Sequence, residues 1–352
     1  MGVLSELESY GWKPVFQQQA LQLDAEQKLT PVRVVEVHRS GLRVAPPLQE
    51  HAELPLAGRW FQLPVEGRPT VGDWVLVDAA TGAVEHLMTR TSEIKRLSPA
   101  GELQMIAANI DTGFVVTSAN TDFSLERTER YLTVLVEADI QPVVVITKSD
   151  LAEDGMQYVT AIHATHPDVP VELVNALELD SLAGLVAWIG KGQSIALLGS
   201  SGVGKSTLVN TMLGSTVLHT QSVRDGDDKG RHTTTHRSLH RLPSGGVILD
   251  SPGMREFQIT DADRGVSSVF ADIESLALTC RFNDCAHNTE PGCAIQAALA
   301  SGELELRRLK NFFKLKREER VNTETVAERH VRARQFSRQV KNHIAQKPKL
   351  KR

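Results

Sequence analysis

Cysteine is scarce in this chain of 352 residues: there are three, all within residues 280–293. An odd, clustered set in a chain without an export signal argues against a disulfide framework and for metal binding. No apolar run approaches the ~20 residues needed to cross a bilayer. The opening MGVLSELESYGW is acidic, where a signal peptide would be basic and then apolar. Glu6 also breaks the myristoylation pattern. These absences predict a soluble, cytoplasmic protein with no membrane partner. Apolar residues at 41% and charged residues at 23% exclude wholesale disorder and a fibrous repeat. The length is enough for two or three domains.

The net charge of −4 is unevenly spread. From Arg307 to Arg352 there are 16 basic and 4 acidic residues, a local charge of +12, which leaves −16 on the remainder. A basic tail on an acidic body points to a polyanion-binding segment; a solvated helix that aids solubility is the plainer alternative.

Residues 31–93 read as short strands separated by Gly and Pro. PVRVVEVHRSGLRVA alternates around Ser40-Gly41 as a hairpin does, and VGDWVLVD and AVEHLMTR follow. A small barrel or sandwich is expected. From about Ile110 strands and helices alternate: DTGFVVTSA, a helix over SLERTERYLTVLVEA, the β-branched run PVVVIT, VPVELVN, a helix over 179–189, SIALLG, and then SLHRL and GVILD. This spacing means a doubly wound α/β sheet.

GSSGVGKST follows the apolar run SIALL and opens a helix. It matches GxxxxGK[ST] through Gly199, Gly204, Lys205 and Ser206, with Ser200, Ser201, Gly202, Val203 and Thr207 completing the loop. Backbone N–H groups in such a loop converge on phosphate oxygens at a helix N-terminus. Lys205 would reach the β- and γ-phosphates, and the Ser206 hydroxyl would ligate Mg²⁺. DSPG ends a strand some 45 residues on, where Asp250 can hold the metal's water shell and Gly253 can meet the γ-phosphate. Between them lies the polar, Gly-rich stretch 223–238. Its threonines, Thr234 foremost with Thr233 and Thr235 as alternatives, suit a second Mg²⁺ contact and a γ-phosphate switch.

TKSD, Thr147–Lys148–Ser149–Asp150, follows the strand PVVVI. A carboxylate there accepts from guanine N1–H and the 2-amino group, donors that adenine lacks. Lys148 would lie along the base. Thr147 stands where Asn is usual, and a hydroxyl can fill part of that role. Asn175-Ala176-Leu177 resembles a second base-contacting turn. The base-reading motif comes before the phosphate loop, whereas in ordinary GTPases it comes last. Ligand loops all sit at the carboxyl ends of parallel strands, so the chain can be cut and rejoined elsewhere with the site intact. The order predicts a circularly permuted GTPase.

Cys280, Cys285, His287 and Cys293 offer three thiolates and an imidazole within 14 residues. That donor set suits a closed tetrahedral Zn²⁺ site, with a free thiol cluster or a redox pair as the alternative. Many GTPases place Gln just after DxxG to orient water; here that position is Met254. His232, beside the threonines, is the internal candidate for that task, or else a loop histidine.

IAANID, TKSD, GSSGVGKST, GRHTTT, DSPGMREF and the Cys/His cluster occur together in this order. The combination resembles the RsgA (YjeQ/EngC) family of small-ribosomal-subunit biogenesis GTPases across essentially the whole chain. The resemblance implies an OB-fold-like RNA-binding domain (1–95), a circularly permuted P-loop GTPase (96–258) and a zinc-binding helical domain with the basic tail (259–352). It implies one structural Zn²⁺ held by the four Cys/His positions, and Mg²⁺ with GTP. It further implies binding of GTP, GDP, the small subunit and its rRNA, and hydrolysis stimulated by the subunit late in maturation. A monomer is expected. Two other classes compete: a P-loop ATPase or small-molecule kinase, disfavoured by Asp150, and an RNA-binding module with a vestigial nucleotide site, disfavoured by Lys205, Ser206 and Asp250.

Overall fold

The computed structural model describes residues 2–24, 26, 28–45, 52–98, 101–214, 237–250 and 258–323. Two helices open the chain, α1 (Val3–Ser9) and α2 (Pro14–Leu23). Neither was anticipated from the sequence. They bury Leu7 and Phe16, and Trp12 sits edge-on to Trp74 at 4.7 Å.

Five strands follow: β1 (Thr30–Val37), β2 (Gly41–Val44), β3 (Ala52–Pro55), β4 (Trp74–Val77) and β5 (Val84–Leu87). The hairpin expected at Ser40-Gly41 is β1–β2. The strands pair antiparallel in the order β3-β2-β1-β4-β5 and gather round one core that includes Val32, Val34, Leu42, Val75 and Val84. Closure into a barrel is not seen among the described residues, because no pairing joins β3 to β5. The short helix α3 (Gly58–Phe61) covers the β5 edge instead. Arg59 Nη2 and Trp60 Nε1 both donate to Val84 O, at 2.6 and 3.3 Å, so that carbonyl is satisfied without a strand partner.

An antiparallel hairpin, β6 (Glu93–Leu97) and β7 (Leu103–Ala108), leads into the core. A boundary between residues 95 and 96 falls inside β6. The core strands are β8 (Thr112–Ser118), β9 (Gln141–Thr147), β10 (Val171–Leu173), β11 (Ser194–Leu198), β12 (Ser238–Arg241) and β13 (Val247–Asp250). Their order is β10-β9-β8-β11-β13-β12, all parallel except β12. β8, β9 and β11 are buried on both faces, as their unbroken apolar runs require. Helices α4 (Leu125–Glu137), α5 (Met156–His163), α6 (Ala183–Val186) and α7 (Lys205–Leu213) connect them. Ser124 caps α4 by accepting from Arg127 N. The helix expected over 179–189 is reduced to a 3₁₀ turn, Asp180–Leu182, running into four-residue α6. Gly184 within it and Gly190 beyond it lower helix propensity.

The single register pair Glu36↔Ser238 joins β1 to β12, so the N-terminal module and the core share one eleven-stranded sheet. The C-terminal part is helical, as expected: α8 (Asp263–Val269), α9 (Ala271–Leu278), α10 (Ala294–Ser301) and α11 (Leu306–Thr323).

Candidate nucleotide site and metal centre

From β8 the chain moves outward to β9 and β10; from β11, the neighbour of β8, it moves the other way to β13 and β12. The β8/β11 boundary is therefore the topological switch point, where open α/β sheets bind ligands beyond the carboxyl ends of their strands. The phosphate-loop motif lies there, between β11 and α7.

Its glycines are conformational requirements. Gly202 and Gly204 have φ of +80° and +93°, and a side chain at Gly199 would run into Val116 O of β8. Val203 is buried and anchors the loop in the core. Lys205 Nζ donates to Gly199 O at 2.7 Å and to Ser200 O, so the ammonium lies across the mouth of the loop. Ser206 and Thr207 occupy the first turn of α7.

The base motif ends β9, two strands from β11. Thr147 is fully buried, with its hydroxyl 2.6 Å from Val203 O in the phosphate loop and 3.0 Å from Thr117 O at the end of β8. One hydroxyl proton thus ties β9 to the phosphate loop. Lys148 adopts φ +59° and turns the chain so that exposed Asp150 stands at the rim. Asn175 is buried and organises the adjoining turn: Oδ1 accepts from Leu177 N, and Nδ2 donates to Glu178 Oε1. Thr211 of α7 donates to Ala176 O at 2.7 Å, a contact that sequence reasoning missed because no motif contains it.

Asp250 ends β13, and burial holds its carboxyl above the ordinary range against the pull of His240. A divalent cation would supply the positive charge this half-buried carboxylate lacks, and Ser206 and Asp250 fit Mg²⁺ in that sense. His232, Thr233, Thr234, Thr235, Gly253 and Met254 lie outside the described residues, as does the tail beyond Thr323.

The four Cys/His positions do converge. Their ligand atoms all lie within 4.8 Å of one another. Cys280 Sγ is 3.9 Å from Cys293 Sγ and 3.5 Å from His287 Nδ1, and Cys293 Sγ is 3.6 Å from the same nitrogen. A tetrahedral zinc with about 2.3 Å bonds to sulfur requires S···S edges of about 3.8 Å, close to the Cys280–Cys293 separation, so the donor set suits Zn²⁺. Burial pushes the Cys285 thiol up to about 11, while the backbone N–H groups of Ala294 and Ile295 hold the Cys280 thiol below its ordinary value against burial.

A phosphate loop at the switch point, preceded in the chain by the strands that carry the base motif, defines a circularly permuted P-loop nucleotide-binding fold. The family described as RsgA GTPase matches residues 87–260. ABC transporter matches residues 182–346, a span that holds β11 and α7 but none of β8–β10. The "Small ribosomal subunit biogenesis GTPase RsgA 2" of Vibrio parahaemolyticus is 45% identical over 97% of this chain and 94% of its own. That of Vibrio vulnificus is 46% identical over 98% and 97%. Among solved structures, YjeQ from Thermotoga maritima has a TM-score of 0.60 at 24% identity, covering 82% of this chain and 97% of its own. YloQ, described as a circularly permuted GTPase, has a TM-score of 0.58 at 23% identity, covering 85% and 98%. The chain belongs to the RsgA family and is a GTP hydrolase.

Proposed function

We propose that this protein hydrolyses GTP to GDP and phosphate during late maturation of the small ribosomal subunit, and that the subunit stimulates the reaction. The observation that carries the reading is near-full-length similarity to relatives named for small-subunit biogenesis. Backbone N–H groups of residues 199–206 cradle the phosphates, and Lys205 leaves the carbonyls of its own loop for the β- and γ-phosphates. Bound with GTP, Mg²⁺ would offset the charge that builds on those phosphates; Ser206, Thr234 and a water shell at Asp250 would hold it. Gly253 meets the γ-phosphate. Asp150 accepts from guanine, with Lys148 along the base plane. With Met254 in place of a water-orienting Gln, intrinsic turnover is slow, and His232 or a group of the subunit aligns the water.

The N-terminal module, as an OB-like RNA binder, and the basic tail attach to rRNA, the tail through salt-sensitive phosphate contacts. The four Cys/His residues hold a structural Zn²⁺, and the protein works as a cytoplasmic monomer. GTP turnover measured with and without purified small subunits tests the reading: turnover rises with subunits, and an unchanged rate rejects it. Base reading is tested separately. Asp150→Asn weakens GTP binding and improves binding of xanthosine triphosphate, whose 2-oxo group needs a donor; equal GTP affinity rejects the assignment.

A further inference from the structure

Arg33 belongs to β1 of the N-terminal module, yet its guanidinium ends against the GTPase core. It is wholly buried. Nε donates to Gly72 O at 3.2 Å and Nη2 to Asn109 O at 2.8 Å; Nη1 donates to Tyr10 O and to Ser194 Oγ at 2.8 Å. Among the described residues no carboxylate pairs with it, and burial lowers its pKa to about 10, with Asp111 and Asp73 opposing that from a distance. Keeping a cation there against desolvation is expensive unless its geometry is needed.

The residue it grips is informative. Ser194 begins β11, and the other end of β11 is the phosphate loop. The Ser194 backbone is held twice by one residue: its N–H donates to Asp111 Oδ2, and its C=O accepts from Asp111 N, each at 2.8 Å. No side chain fits opposite. A Cβ on Gly11, at φ +90°, would lie 2.6 Å from Arg33 Nη1 and 3.1 Å from Gly192 O. Further along β1, Glu36 pairs with Ser238, and Ser238 pairs with Asp250. One strand of the N-terminal module therefore touches the foot of the phosphate-loop strand and the immediate neighbour of Asp250.

We propose that Arg33 is a positioning residue for the nucleotide site, and that β1 couples the N-terminal module to nucleotide affinity through these two contacts. A strand hydrogen-bonded on both sides moves as a unit, so a shift at Ser194 appears at the phosphate loop. Amides that bind phosphate must be held to within about half an ångström. The coupling extends beyond small-subunit binding and does not depend on it, because the ligand it acts on is the nucleotide.

The test is equilibrium binding of fluorescent GDP with Mg²⁺ to the full chain. Ser194→Ala and Arg33→Lys each weaken GDP binding about three- to tenfold, and the double variant is no weaker than the worse single one, because both remove the same link. Leu54→Ala, in the module's core and remote from the link, is the control. It lowers the thermal midpoint more than Ser194→Ala does, yet leaves GDP affinity within about twofold. Should Arg33→Lys fail to fold, Ser194→Ala against Leu54→Ala still decides. Unchanged GDP affinity in Ser194→Ala, additive losses in the double variant, or a loss in Leu54→Ala that matches its lost stability would each overturn the proposal.

Discussion

Two seams fix the flanking parts to the GTPase core, and they differ in where charge is paired: the ion pairs Lys13–Asp111 and Lys191–Glu8 lie at the margin of the N-terminal seam, whereas the Arg308–Glu129 pair of the C-terminal seam is buried. The N-terminal seam surrounds one buried arginine with backbone carbonyls and a hydroxyl, and bare glycine backbone closes it: a Cβ on Gly192 would lie 2.8 Å from Glu8 O. The C-terminal seam is built from charge. Glu129 of α4, fully buried, meets Arg307 and Arg308 of α11 at 3.2 and 3.0 Å and also accepts from Asn311. Arg308 grips Asp272 with two bonds and lies 4.7 Å over the Phe270 ring. Arg130 and Glu318 form a second bidentate pair at 2.6 and 2.7 Å. Carbonyl cages are short-ranged and directional, so the first seam transmits position. A carboxylate shared among several cations can exchange partners, so the second resists separation while tolerating small shifts.

Breaking the metal cage is the largest perturbation. Cys285→Ser abolishes zinc binding and the cooperative unfolding of α10 and α11, while the N-terminal seam persists. Zinc content together with amide exchange checks this; exchange that rises equally in β1 and α11 would merge the two seams into one unit. Next comes Arg308→Met, which costs about 3 kcal/mol, the low end for an orphaned buried charge because Arg307 remains. Arg33→Met costs less, about 1–3 kcal/mol: it orphans acceptors but removes an unpaired cation. Urea denaturation of both variants ranks them, and the reverse order would invert the comparison.

Acid sharpens the contrast. Burial acts to raise the Glu129 pKa, but neighbouring His166, 3.9 Å away, and the Arg307 charge outweigh it and hold the carboxyl below its ordinary value. The stability it lends is therefore complete above the ordinary glutamate pKa and is lost as pH falls through the depressed folded value. Amide exchange in α11 should accelerate below about pH 4.5 before exchange in β1 does. The smallest effect belongs to the exposed pair Arg264–Asp139, 2.7 Å apart. Asp139→Asn should leave the thermal midpoint unchanged, because water screens such pairs.

Much of the core was readable from β-branched runs: DTGFVVTSA, PVVVIT and GVILD are β8, β9 and β13 in register with the expected loops. Chemical motifs announce themselves through rare combinations, and the four Cys/His residues converge as their spacing required. The seams were invisible for a plain reason. Arg33, Glu129 and Arg308 sit in patterns where a charged residue normally marks the solvent side, and only tertiary packing reveals that each is buried. Helices α1 and α2 escaped because each is short and carries no motif, and α6 was overestimated because Gly184 interrupts an otherwise apolar run. A barrel or sandwich was expected from short strands separated by Gly and Pro, a pattern that cannot foresee α3 covering the β5 edge.

The permuted strand order also bears on how the molecule is born. A ribosome making this chain releases β8, β9 and β10 first, and the side of β8 that will receive β11 waits uncovered. Asp250 emerges about 130 residues after β8, on the order of ten seconds later at ordinary elongation rates. Until residues 199–206 emerge, the nascent chain carries the TKSD half of the site with nothing to hold phosphate. Central strands that pair across long sequence separations fold slowly and expose sticky edges meanwhile. The finished sheet therefore acquires its middle late, and nucleotide can stabilise the fold only after the last of its ligand loops has been made.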